Sequence, residues 1–166
     1  MIKILLLCTL FGTSGYLGIM ISKVYDQKEL FFEEFVEFLN NIKNEISFFK
    51  TDIVSLLGKY QYKSNLQQIN EKMLEKIKNN ENLNLIQIEE IVSKYISLEQ
   101  KDFVMISQMY YDLGKLGYYE QLEKIEFYIN QFKISMQNNQ NRAVKMKPFC
   151  KKMGFLIGLL FCIVLF

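Results

Sequence analysis

The sequence has no histidine and no tryptophan, and only one proline, three cysteines and eight glycines in 166 residues. Without imidazole there is no His-based metal site, no Ser–His–Asp triad and no ordinary general base titrating near neutrality. Cys8, Cys150 and Cys162 are too few and too badly spaced for a zinc ribbon or a disulfide framework. Cys8 and Cys162 fall inside apolar runs, where a thiol behaves as a small hydrophobe, so cysteine usage does not assign a redox compartment. Acidic residues are missing from both ends. All 18 lie between Asp26 and Glu126, where residues 23–141 carry 14 basic side chains. The following segment, 142–152, holds Arg142, Lys145, Lys147, Lys151 and Lys152 and no acid at all.

What is present is hydrophobic. Half the chain is apolar and 23% is charged, which excludes a disordered or fibrous chain, and the length allows one domain or a small domain with anchors. Ile4 to Ser22 run 19 positions without a charge between Lys3 and Lys23. As a helix this stretch is about 28 Å long, close to the hydrocarbon thickness of a bilayer. The reading preferred is an uncleaved transmembrane helix over 1–22. The competing one is a signal peptide cut near Gly15, leaving a chain that begins at Tyr16. Bulky Leu7 before Cys8 argues against a lipoprotein cysteine. At the other end, Met153–Phe166 has no charge but only fourteen residues, about 21 Å of helix. It approaches a membrane segment if Phe149 and Cys150 extend it while Lys151 and Lys152 snorkel. A buried core helix would have to explain eight consecutive apolar residues, Leu159–Phe166, on every face.

The basic residues Arg142, Lys145, Lys147, Lys151 and Lys152 flank this second segment and, by the positive-inside tendency, predict that the middle of the chain faces the cytoplasm. Such a cluster also attracts anionic headgroups. Gly154 and Gly158 make a GxxxG face for close helix approach, and Ser14 and Gly18 repeat the spacing in the first segment. The expected layout is an N-terminal transmembrane helix at 1–22, a cytoplasmic helical bundle at 23–141, a basic linker at 142–152 and a membrane segment at 153–166.

Within the middle, Phe32, Phe35, Leu39, Ile42, Ile46, Phe49, Ile53 and Leu56 step by three and four, a heptad seam. Thr51 is a candidate N-cap for a short second helix ending near Gly58. Leu66–Ile77, Ile88–Tyr95 and about Glu99–Leu113 predict three more helices, the last stopped by Gly114 and Gly117 as candidate C-caps. From Tyr118 the pattern at Leu122, Ile125, Ile129, Phe132 and Met136 is helical again. Pro148 is placed either to kink this helix or to start the tail. No segment shows sustained strand alternation, so the fold class is all-α, with about six helices on N- and C-terminal transmembrane segments. The carboxylates are read as scattered over outer faces, there is no phosphate-cradling loop, and basic and aromatic residues do not interleave. No catalytic site, metal site, cofactor site or nucleic-acid surface is expected. The alternative to a membrane scaffold is an extracytoplasmic coiled-coil structural protein, cleaved or anchored, in which the Phe32–Leu56 seam pairs between chains.

Layout and motifs together carry a resemblance. An N-terminal span, a helical domain, the run Tyr111–Glu126 (YDLGKLGYYEQLEKIE), a basic linker and the tail Met153–Leu159 resemble the stage III sporulation protein AB family of endospore-forming bacteria. Glu45-Ile46-Ser47-Phe48, followed by a short second helix, is similar to the end of that family's first helix. Where the family usually has a proline and small residues, this chain has Phe49-Lys50-Thr51-Asp52, which leaves open whether helices one and two are separate. The resemblance implies a non-enzymatic component of the channel-like assembly between mother cell and forespore, sited in the mother-cell membrane. Its helical domain would resemble that of type II secretion and type IV pilus platform proteins. It would face the cytoplasm and a partner ATPase, the stage III sporulation protein AA, and couple the motion of that ATPase to the membrane through the long last helix. Homo-oligomers are compatible with it. The candidate partner contacts are Glu33, Glu34 and Glu37 on the first helix and the loop Gly114, Gly117 and Glu120.

Overall fold

A computed structural model of the chain describes residues 2–49, 53–79, 81, 83–113 and 115–165. Its elements are six helices: α1 (Ile2–Phe49), α2 (Ile53–Leu57), α3 (Leu66–Lys78), α4 (Leu85–Tyr95), α5 (Gln100–Asp112) and α6 (Tyr118–Leu165). Among the described residues there is no strand, so the all-α class holds. Thr51 and Gly114 lie outside the described residues, as do the side chains of Phe49 and Ile53. The junction between α1 and α2, residues 50–52, lies outside the described residues. Pro148 neither ends α6 nor starts a new helix; it sits inside one continuous 48-residue element. Contacts divide the chain into two compact units, Leu30–Met136 and the pair Met1–Glu29 with Gln137–Phe166.

The larger unit is a bundle built on the aromatic stripe of α1. Phe32, Phe35, Leu39, Ile42 and Ile46 are buried as the heptad spacing predicts, and Leu56 of α2 joins them. The burial is intramolecular: the chain's own helices fill the seam that a coiled-coil partner would need. A second row was not foreseen. Phe31 and Phe38 are fully buried too, because α1 is covered on two flanks rather than along a single seam. Phe35 is the hub. Its ring centroid lies 4.6 Å from Phe132 of α6 in an edge-on arrangement, 5.6 Å from Phe31 and 6.3 Å from Tyr110 of α5. Phe31 stacks on it, while the edge-on contacts with Phe132 and Tyr110 add to simple burial because the positive ring edge meets the negative ring face.

The second row also carries carboxylates, which corrects the expectation that the acids occupy outer faces. Phe31, Glu34, Phe38 and Glu45 recur at helical spacing, so both glutamates are turned inward with the phenylalanines. Glu34 accepts hydrogen bonds from the backbone N–H groups of Lys63 (2.9 Å) and Ser64 (2.8 Å). Glu45 accepts from the Tyr60 hydroxyl at 2.9 Å and from the Lys59 ammonium. Together they hold the connection from α2 to α3, and the Asn65 side chain donates to the Tyr95 carbonyl at the end of α4. The charge-assisted bonds to the buried Glu34 carboxylate contribute about 1.5–3 kcal/mol each and leave a costly orphan when one side is removed.

The remaining helices are set by local chemistry. Asn84 and Gln87 form a reciprocal capping box at the start of α4 (2.9 and 3.0 Å). Asp102, buried in the first turn of α5, accepts from the Ser135 hydroxyl of α6 at 2.7 Å. Tyr110 donates to Asn70 Oδ1, pinning α5 to α3. Gly117 does not end α5, which is capped at Leu113. It precedes α6, and its carbonyl accepts from the Gln121 N–H at 2.8 Å.

Two outcomes follow. Replacing Phe35 by Ala removes a ring touching three helices and lowers stability by about 3–5 kcal/mol, read as a fall in the thermal midpoint of helical circular dichroism. Burial is the main cause that raises the hydroxyl pKa of three tyrosines: Tyr62 to about 12, Tyr110 and Tyr128 further, the last also through its bond to Asp112. A raised tyrosine pKa favours the neutral native form, so the stability it confers is complete below pH 10 and declines above it. Tyr62→Phe makes that decline shallower between pH 10 and 12 in an alkaline unfolding series.

Candidate functional site: an apolar hairpin and the surfaces of the bundle

The smaller unit is an antiparallel pair made by the start of α1 and the end of α6. Small residues decide how close the two helices come. A Cβ on Gly18 would stand 2.7 Å from the Cys150 carbonyl oxygen and 3.1 Å from the Gly154 Cα, and one on Gly154 would stand 2.9 Å from the Gly18 Cα. No side chain fits there. Gly158 packs on Phe11 and Ser14, and Gly15 lies under the Phe155 ring. Ser14 donates its hydroxyl to the Gly154 carbonyl at 2.6 Å, so this polar group is satisfied within an apolar setting. Cys162 Sγ reaches the Leu7 carbonyl at 3.8 Å. The Ser14/Gly18 and Gly154/Gly158 faces therefore meet each other inside one chain, whereas GxxxG alone left the partner helix open. Phe11 and Gly15 belong to the same seam and were missed; Phe11, Gly15 and Gly18 recur by four and three, which is the signal that finds them.

With the small residues turned inward, the large ones face out. Leu17, Met20 and Ile21 on α1, and Leu156, Leu159, Leu160, Ile163 and Val164 on α6, are all exposed. Soluble monomers seldom expose so continuous an apolar surface. Within Leu7–Ser47, α1 is long and apolar enough to cross a membrane. Beyond the apolar part, Lys147 Nζ lies 2.6 Å from Asp26 Oδ1 and 2.6 Å from Glu29 Oε2. Those hydrogen bonds raise the Lys147 pKa above its usual value. Arg142, Lys145, Lys151 and Lys152 are exposed.

On the bundle, Glu33, Glu37 and Glu120 are exposed. Glu34 is not; its carboxylate holds the loop before α3. Gly117 is exposed with open space about it, and Gly114 lies outside the described residues. Beside these, Tyr119 is 84% exposed at the start of α6, a feature for which only the Tyr-Tyr pair in the sequence gives a hint. Met109, Leu113, Leu116, Gln121 and Tyr128 line a small, partly open apolar cleft between α5 and α6. Asp112, also in its lining, accepts from Gln108 (2.8 Å) and Tyr128 (2.7 Å). Among the described residues no three metal-ligating side chains cluster.

The fold and its surfaces define an all-helical protein with an apolar N-terminal helix, in which hydrophobic packing rather than a reactive cluster organises the conspicuous features. The family model for stage III sporulation protein AB matches residues 3–166, essentially the whole chain, and the chain belongs to that family. No curated protein and no solved structure matches it.

Gly154→Val forces the hairpin apart, since overpacking at such a contact costs about 1–3 kcal/mol. Spin labels on Cys8 and Cys162, in a Cys150→Ser background, are expected to report a longer and broader distance in the variant than in the parent.

Proposed function

We propose that the protein is a non-enzymatic platform component of the sporulation channel between mother cell and forespore. In this reading both ends of the chain insert in the mother-cell membrane as a hairpin. The observation that carries it is the inside-out packing of that hairpin: Gly15, Gly18, Gly154 and Gly158 face inward and the large aliphatic side chains face outward. Water penalises that distribution and lipid does not, since association between helices in lipid relies on close packing of small residues. The tail, although only fourteen residues long, pairs with α1 from Leu7 to Gly18 and so shares its depth.

The basic flank supports a bundle on the cytoplasmic side. There it presents Glu33, Glu37, Glu120 and the exposed Tyr119 to the partner ATPase, the stage III sporulation protein AA. Family membership supports the sporulation role; the platform role and the partner rest on likeness to secretion platforms, which is analogy.

Cys150, beside the basic flank, reports the topology. A membrane-impermeant maleimide is expected to label Cys150 in inverted vesicles and not in intact protoplasts; labelling in protoplasts refutes the cytoplasmic orientation. Charge reversal at Glu33, Glu37 and Glu120 together is expected to abolish co-purification of the ATPase, and undiminished recovery removes these residues from the interface.

A further inference from the structure

The five basic residues of the linker are not equivalent, and their placement in the hairpin separates them. Gly18 abuts both Cys150 and Gly154, which puts Lys152, midway between those two, level with Gly18. The uncharged stretch of α1 continues four residues past Gly18 to Ser22, about 6 Å along the helix. The Lys152 backbone therefore lies inside the apolar layer that the first helix defines. Helical side chains lean toward the N-terminus of their helix. On α6 that direction leads from Lys152 toward Lys145. These two lysines are seven residues apart, on one face, with the half-exposed Phe149 ring between them.

Among the described residues neither lysine has an anionic partner. Within this unit the only acids are Asp26 and Glu29, and both are engaged by Lys147. No acid occurs from residue 127 to the end of the chain. A lysine rooted in the apolar layer, a second at the level of the headgroups and an apolar ring between them match an anion whose own tail is apolar.

We propose that Lys145 and Lys152 bind the phosphate of an anionic phospholipid headgroup, with Phe149 against its glycerol and upper acyl region. This rests on the hairpin being inserted in a bilayer. Lys152 draws the phosphate inward along α6, Lys145 holds it from the aqueous side, and Lys147 takes no part because its charge is already answered within the protein.

The test uses the full-length protein in vesicles of phosphatidylcholine, with and without phosphatidylglycerol, and native mass spectrometry of the lipid that stays bound. Recovery of the protein with phosphatidylcholine vesicles after alkaline extraction reports insertion separately; loss of the protein there refutes the anchor and the lipid site with it. With insertion intact, the parent is expected to retain phosphatidylglycerol selectively. Lys145→Gln with Lys152→Gln is expected to weaken that retention about 30-fold, as two surface lysines acting on anionic lipid predict. Lys23→Gln with Lys28→Gln removes the same charge from α1 and is expected to leave retention unchanged. Equal losses in the two double variants, or no loss at Lys145 and Lys152, overturn the site while the anchor stands. Displacement of the lipid by inorganic phosphate reassigns the pair to a free anion and likewise overturns the proposal.

Discussion

The Phe35 ring touches Phe132 of α6, Tyr110 of α5 and its own neighbours Phe31 and Phe38. A bundle of about a hundred residues has little apolar area to spare, and small domains are marginal for that reason. Concentrating aromatic volume on one helix is a way around the limit, since each ring removes a large area from water for two side-chain torsions. The shorter helices then need only modest apolar faces. Ile69 and Met73, Ile88 and Val92, and Ile106 and Met109 each complete a cover over the same stripe.

Hydrophobic stripes of this sort are tolerant of sliding, and the buried polar groups remove that freedom. Glu34 fits two adjacent backbone amides, Asn70 fits one hydroxyl, and Asp102 fits Ser135. Each pairing works at a single offset, because a shift of one residue leaves a charge or a dipole unanswered in a poorly polarisable interior. Aromatic packing supplies the drive toward compactness and the polar contacts choose among compact arrangements. In the hairpin the same division recurs in another form: absence of side chains at Gly18 and Gly154 permits contact, and the Ser14 hydroxyl marks one level of it.

Much of this was legible from residue order. The period of the apolar residues located the bundle part of α1 and the helices from α3 to α6, and the breaks at the NNENLN run and before Tyr118 fell where the elements end and begin. The inward carboxylates were not legible, because a stripe centred on Phe32 puts Glu34 on its margin. Only the three-dimensional position of the α2–α3 connection gives that carboxylate two amides to accept from. Gly117 was misplaced by one element for a related reason: a glycine between two helices serves the end of one or the start of the next, and the sequence does not distinguish the two. For the hairpin, spacing exposed both small-residue faces but not that they belong together, since contact between positions so distant in the chain leaves no periodic trace.

Ser14 and Gly154 are separated by 140 residues. A ribosome adding residues at ordinary rates needs on the order of ten seconds to cover that interval. During synthesis the first helix therefore exists with its groove of small residues vacant and its hydroxyl unanswered, while the helix that fills them has not been made. A nascent chain interrupted anywhere in the bundle keeps that groove open indefinitely. Synthesis of residues 150–158, rather than folding of any part of the bundle, is the event that closes it, and a product interrupted before them is distinguished by a surface that they cover.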